Sequence, residues 1–194
     1  MSRSDYQQML TQKLNGLVEI GEELTNAILQ LFTVKHFEKG HHFARAGEHS
    51  QNMGFVVDGI LRAYHQTPSG DTYNKHFFTQ GNFTGAYSSL VTGQKNLIDI
   101  ECLTDVTLLQ CHYADFTALY DEHREVERMA RIIAEQYFVN KETREIQLVT
   151  LDASERYRLF REHYPDMEQR IPQYHIASYL GITPTQLSRI RAKQ

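Results

Sequence analysis

The sequence predicts an α+β chain: an N-terminal β-roll (a double-stranded β-helix), a long helix, and a C-terminal all-α helix-turn-helix. Three observations carry this reading. From Thr33 to Cys111, short β-rich runs alternate with Gly40, Gly47, Gly54, Gly59, Gly70, Gly81, Gly85 and Gly93, a density of turns expected of a sandwich or barrel. From about Glu122 to Thr150 there is neither glycine nor proline, so nothing interrupts a helix. Ile171 to Lys193 reads as a short helix, a glycine and a second short helix. The predicted division is 1–121 for the roll, 122–151 for the long helix and hinge, and 152–194 for the helix-turn-helix.

Taken in order, a polar N-terminal helix precedes a second one over Glu22 to Phe32, with Leu24, Ile28 and Leu31 along one side. Phe55 to Tyr64 reads as strand, tight turn at Asp58-Gly59, strand. Pro68-Ser69-Gly70-Asp71 is a turn leading into Thr72 to Phe78. Ile98 to Cys102 and Val106 to Cys111 close the region. His112 to Asp121 then forms a short amphipathic helix with Phe116, Leu119 and Tyr120 inward.

The long helix would be on the order of 40 Å. Val126, Met129, Ile133, Gln136 and Asn140, continued by Thr143 and Gln147, recur at 3-4 spacing. An apolar stripe that turns polar midway suits the seam of a parallel, two-fold homodimer, in which polar positions set register. The same helix would lay another face on its own roll. Leu151 to Arg156 is a hinge, where Asp152 N-caps a helix carrying Tyr157, Leu159 and Phe160. Tyr164-Pro165 ends that helix.

In the last segment Pro172 suits the first position of a helix. Ile176, Ala177 and Leu180 face inward, and Gly181 can take the left-handed conformation that ends a helix. Thr183 is an N-cap and Pro184 a first-turn residue for the next helix, whose apolar face is Leu187 and Ile190. Its remaining positions, Thr185, Gln186, Ser188, Arg189 and Arg191, are hydrogen-bonding groups. This is the pattern of a helix-turn-helix whose second helix enters a DNA major groove. From 169 to 194 the cations Arg170, Arg189, Arg191 and Lys193 meet no acid, although the whole chain is at −4. A basic end on an acidic chain is the footprint of phosphate contact.

Composition narrows the class. At 41% hydrophobic and 23% charged residues, the chain reads as an ordinary globular protein. Neither a signal peptide nor a membrane span is visible, which places the expected location in the cytoplasm. Cys102 and Cys111 fit buried thiols rather than a disulfide framework or a metal site. The 10 histidines are scattered, and the adjacent His41-His42 pair would point to opposite faces of a strand. No metal site is expected. No nucleophile–base constellation or phosphate-binding loop of an enzyme appears.

The spacing Lys39-Gly40, Phe43, Ala46-Gly47-Glu48, Met53, Phe55-Val56-Val57, Gly59 and Leu61 resembles the cyclic-nucleotide-binding β-roll. Gly81-Asn82-Phe83-Thr84-Gly85-Ala86 looks like that fold's phosphate-binding cassette. Joined to the helix-turn-helix, nearly the whole chain resembles the Crp/Fnr family of bacterial transcription regulators. The resemblance implies a homodimer that binds double-stranded DNA, with RNA polymerase as a further partner. Thr183, Thr185, Gln186, Ser188 and Arg189 would face the groove, with Arg189 suited to a guanine and Gln186 to an adenine edge. Arg170, Arg191 and Lys193 would contact phosphates.

The same resemblance locates an effector pocket: Phe83, Thr84, Gly85, Ala86, Tyr87, Ser88, Asn96 and Leu97, with Tyr137 and Lys141 from the long helix. In the family, a glutamate follows the cassette glycine and an arginine meets the phosphate. Here those positions are Ala86 and Asn96, and the small polar residue after the arginine is Leu97. Lys95 is one residue off, which on a strand turns it to the other face. The expectation is a regulator that needs no cofactor and does not use cyclic AMP, its effector being another small molecule or none. The alternative is a small-molecule sensor that signals to a protein partner, with DNA binding lost.

Overall fold

The computed structural model describes residues 2–193. Met1 and Gln194, the outer ends of the first and last predicted segments, lie outside the described residues. Helices α1 (Arg3–Asn15) and α2 (Glu22–Leu31) precede the strands β1 (Thr33–Phe37), β2 (His42–Ala44), β3 (Asn52–Asp58), β4 (Leu61–Gln66), β5 (Thr72–Phe78) and β6 (Phe83–Thr84). Helix α3 (Tyr87–Thr92), β7 (Asp99–Cys102), β8 (Val106–His112), α4 (Tyr113–Ala118) and the long α5 (Arg124–Thr150) follow. The chain finishes with α6 (Ala153–His163), α7 (Met167–Arg170), α8 (Gln173–Leu180) and α9 (Pro184–Arg191). The α+β class and the order of parts are as the sequence predicts.

The strands form two four-stranded sheets, ordered β1-β8-β3-β6 and β2-β7-β4-β5. Pairing is antiparallel between β1 and β8, β3 and β8, β3 and β6, and β2 and β7. Gly59 makes the tight turn between β3 and β4 at φ 99°, and a Cβ there would lie 2.4 Å from the Asp105 carbonyl oxygen. Only glycine satisfies both the angle and the approach.

Contacts divide the chain into two compact units. One comprises Met1–Ala63 and Phe77–Glu135, the other Tyr64–His76 and Gln136–Gln194. This grouping differs from the predicted boundaries at 121 and 151. It places residues 64–76, the end of β4, the turn and most of β5, with the C-terminal helices, and it divides α5.

In the first unit, Leu10 and Leu14 of α1, Ile28 of α2, Phe55 and Val57 of β3, Leu109 and Cys111 of β8 and Phe116 of α4 form one buried cluster. Val126 and Met129 of α5 are fully buried in it, and Ile133 packs against it. That corrects the predicted seam. Val126 and Met129 are buried in this chain's own core rather than exposed for a partner. Gln136 and Asn140 are exposed. Cys102 and Cys111 are free and buried, and burial pushes both thiols up to about 12, so they stay protonated.

In the second unit, Asp152 caps α6 in a reciprocal box with Glu155, and Tyr157, Phe160, Tyr164, Met167 and Ile176 build a small core. Pro172 proves to be the N-cap of α8 rather than its first residue (φ −59°, ψ 140°), and helical geometry starts at Gln173.

Met129→Ala should cost about 2–5 kcal/mol, the range for a truncated buried apolar side chain. Urea denaturation would read that loss, and sedimentation should show an unchanged oligomeric state. A shift in association with stability intact would return Met129 to the seam.

Candidate functional site

The last two helices form the predicted motif. Gly181 ends α8 in the left-handed conformation (φ 67°). Thr183 caps α9, accepting from the Gln186 N–H at 3.2 Å. Leu187 is fully buried beneath α9. Thr183, Thr185, Gln186, Ser188, Arg189, Arg191 and Lys193 are all exposed, as is Arg170 at the end of α7. The structure therefore presents one polar helix face carrying every residue that the sequence selected on α9.

Gln186 and Arg191 have prior commitments. The Gln186 side-chain oxygen accepts from the Thr183 N–H at 2.9 Å and from its hydroxyl at 3.2 Å. An adenine edge takes both ends of an amide, so that contact would require the cap to open; in this structure Gln186 is a capping residue. Arg191 Nε lies 3.2 Å from Glu168 Oε1. The same carboxylate accepts from the Tyr157 hydroxyl at 2.6 Å and lies 3.5 Å from Arg161 Nε. Burial, and then the bond to Glu168, raise the Tyr157 phenol above its ordinary value, so it remains a donor. The acid-free window begins one residue after Glu168, which is why the sequence count missed this partner.

Sequence reasoning also missed what anchors the motif. The guanidinium of Arg144 on α5 donates to the carbonyls of Tyr179 (2.7 Å), Asn74 (3.1 Å) and Lys75 (3.2 Å). Its carbon sits 3.7 Å from the centre of the Tyr179 ring, a cation–π contact. Arg156 on α6 donates to the carbonyls of Leu180 (3.0 Å) and Leu151 (2.6 Å). Asn74, fully buried, donates to the His175 carbonyl at 2.8 Å, while its own N–H reaches the Ser178 hydroxyl at 3.0 Å. The Ser178 hydroxyl in turn donates to the Thr72 carbonyl at 2.6 Å. Residues 72–75 thus grip the face of α8. No spacing rule marks such a set, because its members are scattered over about a hundred residues of chain.

The predicted effector residues fall in both units. In the first, Phe83 packs on Phe55 at 5.3 Å between centroids and belongs to the core. Thr84, Ala86 and Asn96 are buried, Gly85 is half-buried, and Tyr87, Ser88 and Leu97 are exposed. The Tyr87 and Tyr113 rings meet edge to face at 6.5 Å. Asn96 donates through its amide nitrogen to the Arg45 carbonyl (3.0 Å) and the Ser50 hydroxyl (2.9 Å). Because a carbonyl can only accept, this fixes which end of the amide is nitrogen. Asn96 Oδ1 and Thr84 Oγ1 are buried without a hydrogen-bond partner. Lys95 is exposed. In the second unit, the Tyr137 ring meets His76 at 5.6 Å, and Lys141 pairs with Glu145 at 3.4 Å.

Among the described residues, no cluster of histidine, cysteine or carboxylate could hold a metal ion, and no helix is long and apolar enough to cross a membrane.

The chain is a β-roll followed by a long helix and a helix-turn-helix, and known proteins share that arrangement. Residues 34–123 match the family model of the cyclic nucleotide-binding domain. FixK2 from Bradyrhizobium japonicum superposes with a TM-score of 0.74 at 19% identity, over 84% of this chain and 83% of that one. The c-di-GMP responsive global regulator CLP from Xanthomonas campestris gives 0.70 at 15% identity, over 89% and 91%. A transcriptional regulator of the Crp/Fnr family from Eubacterium rectale gives 0.70 at 14% identity, over 90% and 83%. No curated protein matches by sequence. Residues 34–123 are thus similar to a cyclic nucleotide-binding domain, and the chain shares its fold with these regulators.

His76 offers a pH test of the second unit. Burial, with the positive charges of His163, Arg144 and Lys75, holds it down to about 4. Its folded value lies below the unfolded value of about 6.5, so the unfolded chain binds more protons between them. Stability is full above about pH 6.5 and should fall by on the order of 2–3 kcal/mol toward pH 4. Urea midpoints against pH should show a shallower slope for His76→Gln than for wild type.

Proposed function

We propose that this protein is a homodimeric, sequence-specific DNA-binding transcription regulator whose effector pocket is not built for a cyclic nucleotide. The observation that carries the reading is the exposed, acid-free face of α9, capped by Thr183, seated on Leu187 and joined to a firmly anchored α8. Arg189 reads base edges, assisted by Thr185 and Ser188. Lys193 and Arg170 meet phosphates, and Gln186 joins the readout only when its cap opens. Two neighbours of the same fold are described as a global regulator and a transcriptional regulator, which supports a cytoplasmic DNA-binding role.

The pocket reading rests on Asn96. At the position where the family places an arginine, its amide nitrogen is used within the chain, and what remains is an acceptor oxygen. An acceptor gives a phosphate nothing to bind. Losing a charged hydrogen bond of a few kcal/mol should weaken cyclic AMP binding by on the order of 10²-fold or more. The neighbour CLP is described as responsive to c-di-GMP, which supports an altered ligand specificity within this fold.

For the dimer, the second copy would cover the apolar residues that α5 leaves exposed: Phe138, Val139, Ile146 and Val149, the last 83% exposed. Gln136, Val139, Thr143, Ile146 and Thr150 follow the 3-4 ladder of a coiled-coil seam. This ladder keeps Gln136 from the predicted seam, replaces Val126, Met129 and Ile133, which face the roll, and leaves out the exposed Asn140.

The test is binding of the purified protein to selected and random duplexes at two salt concentrations, with and without cyclic AMP. Preference for a two-fold-symmetric site, indifferent to cyclic AMP, is expected. Salt-insensitive absence of binding would favour a sensor that signals to a protein partner. Arg189→Ala should cost about 1–3 kcal/mol at one base position and relax discrimination there; uniform weakening over all sequences would contradict base readout. Ile146→Glu should yield folded monomers by sedimentation and circular dichroism.

A further inference from the structure

The attachment of α9 to its own domain is thin. This eight-residue helix has one fully buried side chain, Leu187, and Ile190 is half-buried. Near its C-terminal end, Arg191 is drawn to Glu168, whose side chain is far less exposed than that of the arginine (18% against 38%). Glu168 is itself fixed on the other side by the Tyr157 hydroxyl at 2.6 Å, and Tyr157 is a buried core residue of α6. The chain of contacts Tyr157–Glu168–Arg191 therefore ties the far end of the helix to the core. The Thr183 cap and Leu187 fix its near end and middle.

We propose that Glu168 is a positioning residue for DNA recognition: it fixes the angle of α9 and withholds Arg191 from the DNA backbone. The proposal rests on the DNA-binding reading above. An acid beside a DNA-binding helix normally opposes phosphate, so its expected signature is unusual. It should raise specific affinity by orienting the helix while lowering non-specific affinity by neutralising a cation. Specific binding depends on base edges being met at the right geometry, whereas non-specific binding counts the cations available to phosphate.

The decisive variant is Glu168→Gln, which keeps the shape and one acceptor but removes the charge. Affinity for the selected site should fall about tenfold, while affinity for random duplex stays level or rises. The slope of log K against log salt should steepen by about one phosphate contact, near 0.9. Glu168→Asp and Tyr157→Phe separate charge from reach: the first should keep the wild-type salt slope, and the second should lose selectivity with that slope unchanged. Hydrogen exchange of Glu168→Gln without DNA should be faster in α9 alone. Specific and random binding falling together, with a loss of thermal stability, would mean a merely structural acid and overturn the proposal. Unaltered selectivity and exchange would overturn it too. If wild type binds no DNA while α9 still loosens in the variant, the DNA reading fails and the tether stands; if neither occurs, both fail.

Discussion

The C-terminal end of α8 is the point on which the second unit depends. A helix leaves its last carbonyls without internal partners, and leaving them buried and unsatisfied costs on the order of a kcal/mol or more each. Here Arg144 takes the Tyr179 carbonyl and Arg156 takes that of Leu180. Two positive charges at the negative end of a helix also suit its dipole. Because each guanidinium has several donors in a fixed plane, each joins α8 to something else: Arg144 to residues 73–75, and Arg156 to the end of α5. Lysine, a single compact charge, could not bridge these groups. The position of α8 follows from two side chains, Arg144 and Arg156, at its C-terminal end.

Helix α5 meets two demands along its length. Its first half supplies Val126 and Met129 to the core of the roll. Its second half carries Arg144 and the exposed Phe138, Val139, Ile146 and Val149. A single apolar stripe cannot satisfy both, because the buried positions and the exposed ladder lie on different faces. The polar residues midway, Gln136 and Asn140, mark where the helix passes from one task to the other.

That handover explains what could and could not be read from the sequence. The glycine-punctuated strands, the uninterrupted helix and the Pro-Gly-Thr-Pro signals of the last segment were legible, because each is a local backbone requirement. The face of α5 was not. Periodicity reveals that Val126, Met129 and Ile133 share a side, but it is silent on whether the subunit or its partner covers them. The role of Asn74 was equally hidden: a buried asparagine on a strand looks like any other polar position until α8 is seen above it. In the cassette the departures at Ala86 and Asn96 were visible residue by residue. That the Asn96 nitrogen is used internally, leaving an acceptor oxygen, depends on Arg45 and Ser50 being brought beside it, about fifty residues away in sequence. The residues of α9 are exposed, but Gln186 and Arg191 have partners that a composition count does not include.

Those partners bear on how a helix this short is held. With so little apolar area beneath it, α9 gains little orientation from hydrophobic packing, which is non-directional in any case. Direction must come from hydrogen bonds and ion pairs, which fix angles as well as distances. The Gln186 cap sets the start of the helix and Glu168 restrains its end. Each uses a side chain that composition alone would count as available, so the surface offers fewer uncommitted groups than its composition promises. Base edges discriminate only when met in register, and a helix that pivots meets many sequences equally badly. On the proposed DNA-binding role, fewer contacts held in place are the arrangement that selectivity requires.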